Sequence, residues 1–365
     1  MTTNYTLPGD PETIRDRPYP LPPLRRNEFW MEPLDPAKLG HGPIYSVEDS
    51  DPFDLYSYRV LSVAHASQTA FQRVVVADTC NYGRALFMDG SIQSAQEDEA
   101  LYHELLVQPG MLCHHAPRDV LIIGGGEGAT LREVLAHASV RSAVMVDIDA
   151  EAVEICRKHM VHAHQGAFDD PRARLVFQDG RRFVEETDLL FDVVIIDVVD
   201  NLDNGPAQAL YTRQFYQLLR RRLRPEGIIM IQGLEFSFQD YKEHAALVRT
   251  LRTVFAEVHS YNATVPSFLG SWGFIMASDW LDPSTLRADA IDRQIERRLG
   301  HDWLRHLNGA FLLSAFALCK ETRYVLALPG PILEDGVPFL PPPDVGEAVV
   351  EQVRLPVLDE RAWTR

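Results

Sequence analysis

After Pro117 the chain alternates short runs of Val, Ile and Leu with stretches of helical period, and this alternation constrains the fold more than any other feature. Strand-like runs fall at 119–123, 143–147, 174–177, 192–196, 227–232 and 273–277. Helical periodicity fills the gaps at 127–137, 150–160, 212–223 and 240–254. Near-continuous apolar runs mark strands covered on both faces, which means a mainly parallel sheet. The pattern therefore predicts a doubly wound α/β domain over 116–285, with ligands expected at the carboxyl edge of the strands.

The flanks read differently. Residues 1–50 are rich in proline and predict an extended arm with little regular structure of its own. Residues 51–115 predict a small β-rich domain: a β-branched run at 73–77, a turn at Asn81-Tyr82-Gly83, a returning strand at 85–88, and then a helix over 98–111 with acidic residues in its first turn. Residues 286–365 predict a helical extension, with a helix at 288–299 and a proline-rich tail. Charge narrows the partners. With 35 Lys and Arg against 52 Asp and Glu, the formal net charge is −17, which argues against a nucleic-acid backbone or an anionic membrane as the main partner. Cys80, Cys113, Cys156 and Cys319 are scattered, so buried free thiols are expected rather than a zinc site or a disulfide framework. His159, His162 and His164 match no zinc spacing and read as a solvated helix end; no metal is expected. No signal-peptide pattern and no bilayer-length apolar run are present, which predicts a cytoplasmic protein.

Four elements carry chemistry. Gly124, Gly125, Gly126 and Gly128, with Glu127 among them, follow an apolar strand and open a helix, a turn that lets a ligand approach the backbone. Gly124, Gly126 and Ala129 also fit the dinucleotide pattern, so a dehydrogenase stays open at this point. Asp147 ends the next strand, where a carboxylate can accept from both ribose hydroxyls. Asp179-Gly180 follows the third strand, where a carboxylate can meet an adenine amino group. Asp197 and Asp200 follow the fourth, and a pair of acids there suits an enzyme that binds an ammonium and removes its proton.

The order of these motifs resembles that of the polyamine aminopropyltransferases, the spermidine synthase family, over about residues 55 to 330. The resemblance is carried by Phe71-Gln72, Tyr82-Gly83-Arg84, Met88-Asp89-Gly90-Ser91-Ile92-Gln93, Asp98-Glu99-Ala100-Leu101-Tyr102-His103-Glu104, the glycine turn, Asp147-Ile148-Asp149, Asp179-Gly180, Asp197 with Asp200, Gly205-Pro206-Ala207 and Gln232-Gly233. Glu127 and the segment from Val265 through Phe268 and Trp272 to Asp279 are similar to the thermospermine synthase branch. The resemblance implies a seven-stranded sheet of the adenosylmethionine-methyltransferase type. It also implies a reaction in which decarboxylated S-adenosylmethionine, a co-substrate rather than a bound cofactor, gives its aminopropyl group to a polyamine. Spermidine giving thermospermine is favoured, with putrescine or agmatine as other acceptors. Asp197 would be the base. Asp200, Tyr102, His103, Gln232, Phe268 and Trp272 would serve the acceptor. Gln72, Gln93, Gly124, Gly126, Glu127, Asp147, Ile148, Asp179 and Gly180 would hold the donor. A homodimer or homotetramer is implied. The chain departs from the family pattern at Asn201, Phe268 and Gln96, positions that bear on acceptor choice more than on reaction type. An amine N-methyltransferase using intact adenosylmethionine and a non-catalytic polyamine- or nucleoside-binding protein are the alternatives.

Overall fold

The computed structural model describes residues 44–48, 56–198, 206–237 and 240–339. The chain opens with an antiparallel sheet of five strands in sequential order: β1 (Ile44–Glu48), β2 (Tyr56–Gln68), β3 (Arg73–Thr79), β4 (Gly83–Met88) and β5 (Ser91–Ala95). The predicted hairpin is present, with Val74 opposite Met88 and Thr79 opposite Gly83. One boundary differs from expectation. Strand β1 lies inside the stretch read as an arm, because five residues of a strand supply too little pattern to be seen beneath the prolines around them; the rest of that arm lies outside the described residues.

Helix α1 (Glu99–Cys113) leads into the second layer. There follow β6 (Asp119–Gly124), α2 (Ala129–Leu135), β7 (Ser142–Asp147), α3 (Ala150–His159), α4 (Val161–His164), β8 (Ala173–Phe177), α5 (Gly180–Glu186), β9 (Phe191–Asp197), α6 (Arg213–Arg222), β10 (Leu223–Glu235), α7 (Lys242–Arg252), β11 (Glu257–Val265) and β12 (Gly270–Ser278). The extension adds α8 (Ala288–Arg298), α9 (Gly309–Ala315) and α10 (Lys320–Ala327). The seven strands are ordered β11-β12-β10-β9-β6-β7-β8; β10, β9, β6, β7 and β8 run parallel, and β12 pairs antiparallel with both β10 and β11. This is the doubly wound, mainly parallel sheet expected from the pattern. Strand β11 escaped the sequence reading. It lies at the sheet's edge, and His259, Asn262 and Thr264 interrupt its apolar residues, so it lacks the unbroken run of a strand covered on both faces.

Alternation explains why the runs are continuous. Leu121, Ile123, Val194, Ile196, Ile229 and Ile231 face one core with Phe183, Phe215, Leu219 and Leu247 from α5, α6 and α7. Val120, Ile122, Val193, Ile195, Ile228 and Met230 face the other, with α1, α2, α8 and α9. Helix α1 is therefore buried around almost its whole girth, and its polar residues need partners. Glu104 finds them in the extension, accepting from the backbone N–H groups of Arg305, His306 and Leu307 at 2.6, 2.9 and 2.7 Å. Arg298 of α8 donates to the carbonyls of Met111, His114 and His115 at the other end of α1. Glu104→Ala is expected to lower stability by roughly 3 kcal/mol, at about 1 kcal/mol net per lost hydrogen bond, measurable as a fall in the thermal unfolding midpoint.

Two minor expectations need correction. His164 is buried rather than solvated: its Nε2 donates to the Arg157 carbonyl and its Nδ1 accepts from Gly166 N–H, because the turn after α4 folds back on α3. Of the four free cysteines only Cys156 is fully buried, while Cys80, in a turn, and Cys319, at the N-cap of α10, are exposed.

Candidate active site

The sheet's order reverses between β6 and β9, and at this switch point Gly124 pairs with Asp197. The two strand ends approach so closely that only glycine fits: Gly124 has φ +82°, and a Cβ there would stand 2.1 Å from the Asp197 carbonyl oxygen. Gly125 N–H donates to that same carbonyl at 2.8 Å, which fixes the turn against β9. The half-buried Asp197 side chain sits between two hydroxyl donors. Tyr102 OH reaches Oδ1 at 2.9 Å and Thr130 Oγ1 reaches Oδ2 at 2.5 Å.

A cleft opens over this point. It is lined by Gln72, Gln93, Tyr102, Gly124, Gly126, Glu127, Asp147, Ile148, Asp179, Gly180, Asp197, Phe268 and Trp272, so thirteen of the predicted site residues converge on it. Asp147 ends β7 with Oδ1 accepting from Asp149 N–H at 2.8 Å. Asp149 caps α3 through Ala152 N–H, and its other oxygen accepts from Thr69 Oγ1 and Gln72 Nε2 of the N-terminal sheet. These bonds tie the small domain to the Asp147 end of the cleft. Asp179 caps α5 through Arg182 N–H. Phe268 packs edge-on against Trp272 at 4.8 Å and against Tyr102 at 5.7 Å, forming an apolar wall beside the acid.

Two predicted residues stand elsewhere and one is not described. His103 does not line the cleft. Successive helical residues point about 100° apart, a consequence of 3.6 residues per turn, so Tyr102 faces the cleft while His103 lies behind Glu127, with Nε2 2.9 Å from Glu127 Oε1. Gln232 is buried beneath the site; its Nε2 donates to Val198 O and Tyr211 OH and its Oε1 accepts from Leu234 N–H, so it braces the chain that leaves Asp197. Asp200 lies outside the described residues. Thr130 was missed, since nothing in its spacing marks the second residue of a helix as a carboxylate partner. Phe71, Asp89 and Ile92 also line the cleft, and they belong to motifs that carried the family resemblance without a role of their own.

The electrostatics are one-sided. Asp89, Glu127, Asp147, Asp179 and Asp197 line the cleft, and no lysine or arginine does so among the described residues. Burial pushes the Asp197 carboxyl above the usual range, and the Glu127 charge adds to the shift. Burial likewise raises Asp147 to about 6, against the hydrogen bond from Asp149 N–H.

Residues 99–285 match the spermine/spermidine synthase domain, and residues 45–96 match the spermidine synthase tetramerisation domain. The polyamine aminopropyltransferase 2 of Pseudomonas aeruginosa is 63% identical over 338 residues, covering 93% of this chain and 97% of that one. The chain belongs to the spermine/spermidine synthase family. The polyamine aminopropyltransferase of Aeropyrum pernix is 43% identical over 271 residues, 73% of this chain and 85% of its own. Among solved structures, a spermidine synthase in complex with the transition-state analogue AdoDATO superposes with a TM-score of 0.72 at 29% identity, over 84% of this chain and 99% of that one. The spermidine synthase of Thermotoga maritima gives 0.71 at 29% identity, over 84% and 98%. Family membership accounts for both sheets: the tetramerisation domain coincides with β1–β5, and the synthase domain runs from α1 through β12.

The Asp147 shift has two measurable signs. A ligand whose hydroxyls donate to the Asp147 carboxylate should bind about tenfold more weakly per pH unit below pH 6, with up to one proton released on binding there; calorimetry in buffers of different ionisation enthalpy checks both. The same group subtracts from stability. Between its ordinary value of 3.8 and about 6 the folded chain keeps a proton that the unfolded chain has lost, so this contribution falls as pH rises through that window.

Proposed function

We propose that this protein transfers the aminopropyl group of decarboxylated S-adenosylmethionine to an amine of a polyamine and releases methylthioadenosine. The observation that carries the reading is Asp197: a half-buried carboxylate at the sheet's switch point, gripped by Tyr102 and Thr130, in a cleft lined by five acids and no lysine or arginine among the described residues. Such a cleft suits a sulfonium, an ammonium and a polyamine, all cationic. The amine nitrogen attacks the carbon beside the sulfonium. The C–S bond breaks, sulfur takes its electron pair and leaves as a neutral thioether, and the proton lost by nitrogen passes to Asp197. The donor's carbon is already electrophilic, so the chemical demand falls on the nucleophile, which is protonated near neutral pH and must shed that proton to react. Asp147 would accept from the ribose hydroxyls, Asp179 from the adenine amino group, and Gln72 would help hold the nucleoside. Gln93 and Glu127 would face the aminopropyl arm, and Phe268 with Trp272 would cover the aliphatic part of the acceptor.

Spermidine giving thermospermine is the favoured acceptor reaction, supported by Glu127 in the glycine turn and by the segment from Val265 to Asp279. Matching of residues 45–96 to a tetramerisation domain supports a homo-oligomer. Four free cysteines support a reducing, cytoplasmic setting. Among the described residues no helix is long and apolar enough to cross a membrane. The test is mass spectrometry of products from the purified protein given decarboxylated or intact adenosylmethionine with putrescine, agmatine, cadaverine or spermidine. Methylthioadenosine with a lengthened polyamine is expected. Adenosylhomocysteine with a methylated amine would replace this reading by methyl transfer, and binding without turnover would make the protein a non-catalytic binder.

A further inference from the structure

Behind the glycine turn a buried row of charged side chains runs from α2 to the cleft. Arg132 donates through both terminal nitrogens to the two oxygens of Glu99, each at 3.0 Å, and also reaches Glu133 Oε1 and the Ala163 carbonyl. Glu133 accepts further from Gln108 Nε2 and Trp303 Nε1, so Arg132 is fully committed at its own end of the row. Glu99 meets His103 one turn along α1. His103 Nδ1 lies 2.7 Å from the Glu99 carbonyl oxygen and 3.2 Å from Glu99 Oε2. A carbonyl oxygen only accepts, so Nδ1 carries a hydrogen. Nε2 lies 2.9 Å from Glu127 Oε1, and an ionised Glu127 requires a donor there too. His103 is 1% exposed and Glu127 lines the cleft, so the ring is sealed from solvent while its partner faces the ligand space.

We propose that His103 is held as an imidazolium and acts as a positioning residue, keeping Glu127 ionised and aimed at the ammonium of the donor's aminopropyl arm. The proposal rests on the aminopropyl-transfer reading. Its physical ground is crowding. Glu127, Asp147 and Asp197 line one cleft; burial raises Asp147 and Asp197, and the Glu127 charge adds to both shifts. A fixed cation against Glu127 offsets that crowding of like charge. The titratable groups facing this row are Glu99 and Tyr102 on α1, Glu127 in the glycine turn, Arg132 and Glu133 on α2, Asp197 at the end of β9, His162 on α4 and His306 in the extension. Burial disfavours the imidazolium, but the bonds to Glu127 and Glu99 outweigh it and bring His103 to about 10. Burial also opposes the Glu99 carboxylate, yet His103 and Arg132 bring it down to about 2. In linkage terms the His103 contribution to stability is complete below its ordinary value of 6.5 and is lost as pH rises through about 10.

The test pairs two readouts. Nitrogen-15 NMR of the histidine rings in the substrate-free wild-type protein is expected to show both nitrogens of His103 protonated at pH 8; an unprotonated Nε2 at that pH overturns the proposal without any variant being made. His103→Gln keeps an N–H donor but removes the charge. Its donor KM relative to wild type is expected to be about tenfold higher at pH 6.5 and to return toward wild type by pH 9. Taking the ratio cancels the titration of Asp147, which both proteins share. A KM ratio constant across pH, or a loss confined to kcat, would mean that His103 only packs. A wild-type protein that makes no methylthioadenosine from the decarboxylated donor overturns the reaction reading instead, and the NMR result still decides the charge on His103.

Discussion

Asp197→Asn is expected to lower turnover by about 10²–10⁴-fold, the range associated with loss of a general base. The substitution is nearly isosteric. Of Tyr102 and Thr130, one hydroxyl can still donate to the amide oxygen of asparagine and the other can rotate to accept from its NH2, so the cleft should keep its shape. What disappears is the acceptor for the amine's proton. Desolvation raises the Asp197 carboxyl, which would make it a stronger base toward an amine. Single-turnover release of methylthioadenosine, measured with saturating donor and acceptor, isolates this step from binding. Turnover within a few-fold of wild type would remove Asp197 from the role of base and shift attention to a water or to the neighbouring acids.

Glu127→Gln is expected to erode the preference for decarboxylated over intact adenosylmethionine by up to about 10³-fold. The two donors differ by one carboxylate on the carbon that also bears the ammonium. A carboxylate held ~4 Å from an ionised Glu127 is repelled by about 4 kcal/mol at an effective dielectric of 20, or about three decades in relative affinity. The ammonium is common to both donors, so losing its attraction to Glu127 weakens both and cancels in the ratio. Direct binding of each donor to wild type and variant gives that ratio without reliance on turnover. If it stays unchanged, discrimination belongs to the shape of the cleft or to backbone groups of the glycine turn. The readout is separate from that of His103→Gln, which removes the partner behind Glu127 and leaves Glu127 itself in place.

Much of this site was legible as soon as the strands were. Gly124, Asp147, Asp179 and Asp197 each stand at or just past the end of an apolar run, and in a parallel sheet the carboxyl ends of the strands share an edge. The remaining residues come from the small domain, from α1 and from the β10–β12 side of the sheet, and here the reading was uneven. Gln72, Gln93 and Tyr102 reached the cleft, whereas His103 and Gln232 turned away from it. Tyr102 and His103 are adjacent in one motif, and adjacency along a helix carries no information about a shared face. Thr130 was invisible for the complementary reason: its neighbours in sequence are a glycine turn and a helix, while its partner Asp197 is 67 residues away.

The division has a physical basis. Hydrophobic period records which face of each element is covered, so the chain's own residues determined the strands, the helices between them, the parallel sheet and the edge at which acids and glycines gather. Orientation of a polar side chain in the core depends on which partner satisfies it there. Only the folded molecule decided that His103 supports Glu127 from behind, that Gln232 braces the chain after Asp197, and that Glu104 fastens the extension to the helix bearing Tyr102. Burial of an unsatisfied polar group costs more than most local preferences can offset, and the partners that relieve it are distant in sequence.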